Sequence, residues 1–207
     1  HAEVNRKFVA DLLAAAEIQG DILDLGAGTA QIPIELCRHN DDCRIMAVDA
    51  AIAMLDLARL NIEVAGLTGR IQLDKADAKD LPYRDDDFTA VMSNSIIHHI
   101  PEPIDVLREA IRVVQPGGLL FFRDLLRPSS EDELEQLVAT YTGNENDHAQ
   151  TMFRDSRHAA LTLDEIRDLA AQVDLPPETV QATSDRHWTL CARVPQNSPQ
   201  MSEDERR

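Results

Sequence analysis

Hydrophobic positions along this chain change their period repeatedly, and each change predicts an element. Over residues 5–19, Phe8, Leu12, Ala15 and Ala16 share one face at helical spacing, which predicts an amphipathic helix. The period then shortens. Asp21-Ile22-Leu23-Asp24-Leu25 is an apolar run ending in Gly26-Ala27-Gly28, the pattern of a buried strand feeding a tight turn. Thr29 is placed to cap a helix reaching His39, with Pro33 in its first turn, where proline is tolerated. Arg44–Asp49 reads as a second strand. Ala51, Leu55, Ala58, Ile62 and Ala65 mark the face of the next helix, and Gly66 stops it. Arg70–Leu73 and Phe88–Ser93 follow as strands, the second introduced by the turn Tyr83–Asp87 with its solvated run Asp85-Asp86-Asp87. Pro103 opens a helix with Ile104, Leu107, Ile111 and Val114 on one stripe. Pro116-Gly117-Gly118 then breaks the chain before a strand over Leu119–Leu125. Strands alternating with helices predict right-handed βαβ units and a parallel sheet covered on both faces.

The alternation stops after residue 126. Ser130…Glu133 and Thr162…Glu165 fit the capping-box pattern, each ahead of a helical stripe. Between them, Thr142–Arg157 is polar with little periodicity. Residues 127–162 are therefore expected to form a helical and loop insertion near the ligand cleft. Val180–Thr183 and His187–Val194 read as two closing strands joined by Ser184-Asp185-Arg186, a connection too short for anything but an antiparallel pair. From Pro195 the composition is that of a disordered tail. The organisation expected is one domain over 1–194, with residues 1–20 an N-terminal helix, and a tail over 195–207.

Composition narrows the partners. The 207 residues suit one domain, and 43% hydrophobic with 28% charged residues suits a globular one. No run approaches the roughly 20 apolar residues of a membrane span. The chain opens on His rather than Met, and no basic stretch leading into an apolar one follows, so no secretory signal is expected. With 20 Lys+Arg against 37 Asp+Glu the net charge is −17. Such a surface repels phosphate backbones, so nucleic acid is not expected as a partner. No basic cluster is present to recruit anionic lipid. Cys37, Cys43 and Cys191 are an odd, sparse set that fits a reducing cytoplasm better than a disulfide framework. Cys37 and Cys43 lack two further ligands at zinc spacing, so no metal is expected.

The chemistry concentrates at Asp24-Leu25-Gly26-Ala27-Gly28-Thr29-Ala30. Gly26 and Gly28 allow a tight turn and close approach of backbone to a ligand. In an open α/β sheet the ligand crevice lies at the carboxyl ends of the strands. Asp49 stands 21 residues beyond Gly28, at the end of the second strand, where a carboxylate holds ribose hydroxyls. An adenosine-type ligand fits this pattern.

The order D-L-G-A-G-T-A, V-D-A-A-I-A-M-L, K-A-D-A-K-D-L-P-Y, S-N-S-I-I-H-H-I and V-V-Q-P-G-G-L-L, over roughly residues 20–126, resembles the class I S-adenosylmethionine-dependent methyltransferases. Within them it is most similar to the small-molecule enzymes of the ubiquinone/menaquinone type. The resemblance implies a Rossmann-like, doubly wound α/β fold: a mostly parallel seven-stranded sheet with an antiparallel final strand and helices on both faces. It implies S-adenosylmethionine as cofactor, with S-adenosylhomocysteine as product. It implies that Asp24 and the Gly26-Ala27-Gly28 backbone hold the methionine moiety, and that Asp49, beside Ala50, takes both ribose hydroxyls. Met54 would pack on the adenine, and Asp77 with the Ala78 amide would read its amino edge. Ser93 or Asn94 would touch the methionine moiety. The family's third glycine is Ala30 here, a small change. Each role has a plainer alternative: Met54 in the core, Asp77 capping a turn, Asn94 satisfying a strand end.

The acceptor side is less defined. His98 and His99 follow the fourth strand, beside where the transferred methyl would lie, and histidine is the natural base near neutral pH. They could equally cap the turn before Pro101. Arg123 and Asp124 end the fifth strand. Arg154 lies in the polar stretch His148–Arg157. Arginine clamps carboxylates or phosphates bidentately, so Arg123 and Arg154 point to an anionic small-molecule acceptor. Surface pairs Arg123–Asp124 and Arg154–Asp155 are the competing reading. Trp188, the only Trp, is expected in packing rather than as a substrate platform. Strand four is not followed by the Pro-Pro-aromatic pattern of base-methylating enzymes, and no G-x-x-x-x-G-K loop occurs. Two other classes share parts of the pattern: an NAD-dependent oxidoreductase of the same fold, and a non-catalytic S-adenosylmethionine-binding module. Ala30, the Asp77-Ala78 pair and the Pro-Gly-Gly turn weigh against the first. The oligomeric state is not legible.

Overall fold

The computed structural model describes residues 2–196. The element order is α1 (Ala2–Ala15), β1 (Gly20–Leu25), α2 (Gln31–His39), β2 (Cys43–Asp49), α3 (Ile52–Val64), β3 (Ile71–Lys75), β4 (Phe88–Asn94), α4 (Pro103–Val113), β5 (Val114–Leu125), α5 (Glu131–Thr142), α6 (Asp147–Ala159), α7 (Leu163–Ala171), β6 (Val180–Ser184) and β7 (His187–Arg193). One seven-stranded sheet runs in the order β3-β2-β1-β4-β5-β7-β6. The strands from β3 to β5 pair in parallel, and β7 pairs antiparallel with both β5 and β6. The order reverses between β1 and β4, so the crevice expected at a topological switch point opens there.

Alternation along each strand divides the core into two layers, as a sheet covered on both faces requires. Ile22, Ile45, Ala47, Met92 and Phe121 face α1, α2 and α3, where Phe8, Leu12, Leu36, Ala58 and Ile62 meet them. Leu23, Leu25, Val91, Leu120, Phe122 and Trp188 face α4 and α7, where Val106, Leu107, Ala110, Ile166 and Ala170 meet them. Trp188 is fully buried, as packing requires.

Several local expectations shift. The N-cap of α2 is Ala30, not Thr29; it has φ 61 and no side-chain cap. A β-carbon in this left-handed region costs roughly 1 kcal/mol, so the alanine in the third-glycine position carries strain. The buried stripe of α4 is Val106, Leu107, Ala110 and Val113 rather than the one starting at Ile104, and Val114 already belongs to β5. Pro116-Gly117-Gly118 does not break the chain ahead of the strand. It lies inside β5, where the pairing with β4 shifts register. The acid run is not wholly solvated: Asp85 pairs with Arg112 at 2.9 Å, and Asp87 accepts from the Arg84 amide at 3.0 Å. The polar stretch after α5 is a helix, α6, capped by Asn146 accepting the Ala149 amide at 2.9 Å. Thr162 and Glu165 form a complete capping box, whereas Glu133 reaches Ser129 instead of closing back on Ser130. Cys37 and Cys43 are brought together beside Arg70. Among the described residues no helix is long and apolar enough to cross a membrane. The expected tail lies outside the described residues from 197 onward.

Candidate active site

Adjacent strands β2, β1 and β4 end side by side, and the turns leaving them build the site. Gly26 (φ 71) and Gly28 (φ 54) both use left-handed backbone. The Gly26 and Ala27 amides donate to the Val48 carbonyl, each at 2.9 Å. This pins the turn against the end of β2. The Gly28 amide donates to Asp49 Oδ2 at 2.9 Å, and the Ala51 amide donates to Asp49 Oδ1 at 2.8 Å. Each Asp49 oxygen thus keeps free lone pairs on an oriented carboxylate. A β-carbon on Gly28 would meet no atom within 4 Å, so the turn faces open space there. A β-carbon on Gly26 would fall 2.0 Å from Ile96 Cγ2, so here only glycine fits.

Two buried acceptors on the same face of adjacent strands lack a donor. Asp24 is 2% exposed and its Oδ2 has no hydrogen-bond partner. Burial, reinforced by the Asp49 charge, pushes its carboxyl well above the ordinary range. Asn94 Oδ1, at the end of β4, is likewise buried without a partner. A carboxylate left this way costs several kcal/mol, and a bound cation with N–H donors would relieve it. Met54, at the start of α3, stands 44% exposed beyond Asp49, while Ala50 is exposed.

The remaining residues expected at the cofactor are differently engaged. Ser93 is buried and its hydroxyl donates to the Leu25 carbonyl at 2.9 Å, tying β4 to β1. Asp77 accepts from the Lys79 amide at 3.0 Å and its ammonium at 2.8 Å, which hold the carboxyl below its usual range. It remains largely exposed next to half-buried Ala78.

The turn after β4 carries a charge pair. His98 Nδ1 lies 2.6 Å from Asp124 Oδ1, with the two side chains 6% and 1% exposed. Asp124 also accepts from the Ile97 amide at 2.5 Å and the Leu125 amide at 2.6 Å, so its burial is fully compensated. Those bonds orient the acid, and the acid orients the imidazole with Nδ1 as donor, leaving Nε2 as the basic nitrogen. His99 stacks beside it, ring centroids 3.9 Å apart, but is exposed. Desolvation and the neighbouring His98 hold its imidazole below the ordinary range. Helix α6 packs against this turn.

Three residues expected on the acceptor side are engaged by partners within the protein. Arg123 is 5% exposed and faces α1: it pairs with Asp11 at 2.7 Å, donates to Thr189 Oγ1 at 3.0 Å and lies over the Phe8 ring. Strand alternation sends it to the face opposite Asp124. It therefore fastens α1 to the sheet. Arg154 is bound bidentately by Glu135 at 2.8 and 2.9 Å, which ties α6 to α5. Asp124 is the partner of His98 rather than a free substrate contact. The polar residue that sequence reasoning missed is Arg157, buried near the end of α6. It ends the same polar stretch from which the sequence points to Arg154, and no apolar period there marks which of the two is buried.

The family model described as a methyltransferase domain matches residues 23–122. The chain is 30% identical to the 27-O-demethylrifamycin SV methyltransferase of Amycolatopsis mediterranei (strain S699), over 83% of this chain and 60% of that one. It is 28% identical to the ubiquinone/menaquinone biosynthesis C-methyltransferase of Vibrio parahaemolyticus, over 61% of this chain and 49% of that one. The chain thus spans about half to three-fifths of the length of the curated relatives it matches. Among solved structures, the plantazolicin methyltransferase BpumL, in complex with a desmethyl analogue and S-adenosylhomocysteine, superposes with a TM-score of 0.67. The identity is 17%, covering 87% of this chain and 65% of that one. The [4+2]-cyclase SpnF superposes with a TM-score of 0.64 at 17% identity, covering 92% and 81%. The fold is that of the class I S-adenosylmethionine-dependent methyltransferases, and residues 23–122 are similar to their methyltransferase-domain family. Within that family its similarity is to enzymes named for small-molecule acceptors, a rifamycin and a quinone among them.

Proposed function

We propose that this protein transfers a methyl group from S-adenosylmethionine to a small molecule bearing a weakly acidic hydroxyl or an equivalent proton. The observation that carries the reading is a juxtaposition on one sheet edge. The donorless acceptors Asp24 and Asn94, with anchored Asp49, end β1, β4 and β2, and the buried His98–Asp124 pair closes the next turn. The residues fit the cofactor. Asp24 and Asn94 supply acceptors for an α-ammonium, the open turn at Gly28 admits a backbone-hugging ligand, Asp49 offers lone pairs to two hydroxyls, and exposed Met54 offers apolar cover. When bound, S-adenosylmethionine supplies an electrophilic methyl on a sulfonium.

The protein's own part is positioning and proton handling. Asp124 holds the His98 ring through Nδ1, and Nε2 takes the acceptor's proton as the acceptor oxygen develops charge. Imidazolium then lies against a carboxylate already oriented by two amides, so little reorganisation is needed. The pair is buried, its side chains 6% and 1% exposed, and helix α6 packs against its turn. His99, exposed, lies outside that relay.

A shared fold does not by itself name a reaction, as the cyclase neighbour illustrates. The proposal is therefore tested on the residues. Calorimetry is expected to show S-adenosylhomocysteine binding and no comparable NAD binding. Asp49→Ala is expected to weaken S-adenosylhomocysteine by about 10–150-fold, the loss of one charged hydrogen-bond partner at 1.5–3 kcal/mol. Tight NAD binding with no S-adenosylhomocysteine affinity would return the chain to the oxidoreductases. Cofactor binding with no methylation across phenols, enols and hydroxy acids would leave a non-catalytic binding module. We infer a cytoplasmic location from the three free thiols, a small-molecule rather than nucleic-acid partner from the net charge of −17, and one catalytic domain over 1–194.

A further inference from the structure

Arg157 stands in the last turn of α6, 2% exposed, wedged between the end of β5 and the β6–β7 hairpin. Its Nη1 donates to the Arg186 carbonyl at 2.6 Å and, at the limit of hydrogen-bond reach, to the Leu126 carbonyl at 3.5 Å. Its Cζ lies 4.7 Å over the Phe153 ring. Its Nε is buried with no partner at all. Among the described residues no carboxylate comes within ion-pair distance of it, although arginine elsewhere in the chain pairs with Asp or Glu at 2.6–3.8 Å. A guanidinium has five N–H donors in a planar fork, and this one spends a single nitrogen on two carbonyls.

The surroundings are cationic despite the acidity of the whole molecule. Arg186 and His187 adjoin it, and the nearest acids felt electrostatically are Asp185, already bonded to Tyr141 at 2.6 Å, and Asp124, already saturated by His98 and two amides. Burial and Arg186 lower the guanidinium to about 10, so it stays charged at neutral pH, and its charge helps press His187 down to about 4. A cation this deep, beside the base pair and without an internal counter-ion, is unbalanced unless a ligand supplies the charge.

We propose that Arg157 is the anion-holding residue of the acceptor site, and that the methyl acceptor carries a carboxylate which the free edge of this guanidinium binds. The inference rests on the reading of His98–Asp124 as the proton-accepting pair, because it places the acceptor's charged end beside that pair. It also accounts for why Arg123 and Arg154 are not free to do this: each already has its own carboxylate.

The test uses the full chain loaded with S-adenosylhomocysteine and two probes, benzoate and benzamide, which match in shape and differ in charge. Calorimetry is expected to show benzoate binding at least tenfold tighter than benzamide. Arg157→Met is expected to erase that preference while leaving S-adenosylhomocysteine affinity within twofold. Arg157→Lys, which keeps the charge but loses the fork, is expected to weaken benzoate by threefold or more. Equal affinity for the probes, absence of benzoate binding, or an undiminished preference in Arg157→Met overturns the proposal. Should Arg157→Met not fold, the wild-type comparison and Arg157→Lys decide it. Failure of the wild-type chain to bind S-adenosylhomocysteine would strike the donor assignment instead.

Discussion

Asp24 holds opposing roles in one side chain. Its buried oxygen without a donor costs stability in the free protein, and the same oxygen is what an ammonium would find. Because its folded pKa is raised, the group contributes stability below its unfolded value near 3.9, and that contribution is lost as pH rises through the folded value. Asp24→Asn is therefore expected to raise the melting temperature of the free protein at pH 7–8, by about 2–4 °C for each kcal/mol recovered. The gain should shrink in acid, and S-adenosylhomocysteine should bind at least tenfold more weakly. A thermal scan across pH with parallel calorimetry checks both halves; a variant no more stable at pH 8 than the parent would contradict the burial argument. His98 presents a different case, since its loss leaves Asp124 with two amide donors. His98→Ala is expected to fold, to keep cofactor affinity and to lower turnover by about 10²–10⁴. Turnover that survives in His98→Ala and falls in His99→Ala would move the base to the exposed ring.

At the scale of elements, the parallel half of the sheet could be read from the chain because its central strands β1, β4 and β5 are buried on both faces and so appear as short apolar runs between turn residues. The glycine turn, Asp24 and Asp49 were legible for a similar reason: their spacing follows from the strand–turn–helix geometry. Helix α6 was not. Its one buried residue is Arg157, so no apolar stripe marks it, and its Asn146 cap is seen only in the structure. Alternation alone puts Arg123 and Asp124, neighbours in β5, on opposite faces, but which face and which partners each takes needed the strand's phase. The phase of α4 slipped because Ile104 and Ile111 are half-buried rather than core. A helix held by its cap and by Glu135–Arg154, with little apolar anchoring, should open locally before the sheet does. Asn146→Ala is expected to cost about 1 kcal/mol at the cap. Amide exchange over 147–159 should accelerate severalfold while β1, β4 and β5 keep their protection, and uniform acceleration would show that α6 is part of the global unit.

Over the whole molecule, the excess of acids meets a cationic knot at the hairpin end, and acid stability depends on how the knot titrates. His187 sits half-buried among Arg157, Arg186 and Arg123, and burial first, then these charges, depress it to about 4. A depressed folded value means that its contribution is fully present above the unfolded value near 6.5 and is lost as pH falls toward 4. Asp24 runs the other way, since protonating it relieves a buried charge. Acidification thus weakens the β6–β7 end while easing the glycine turn, and the two effects separate by substitution. His187→Gln keeps a polar side chain near Ser184, which His187 Nδ1 now meets at 2.9 Å, and removes the titration. Discounting for the solvent-facing part of the ring, its share of the decline between pH 7 and pH 4.5 is on the order of 1 kcal/mol. Urea midpoints at the two pH values are expected to differ less in His187→Gln than in the parent, and more in Asp24→Asn. Parallel declines in all three proteins would assign acid sensitivity to the diffuse surface charge instead, and in that case added salt, which screens exposed charges far more than buried ones, would shift all three alike.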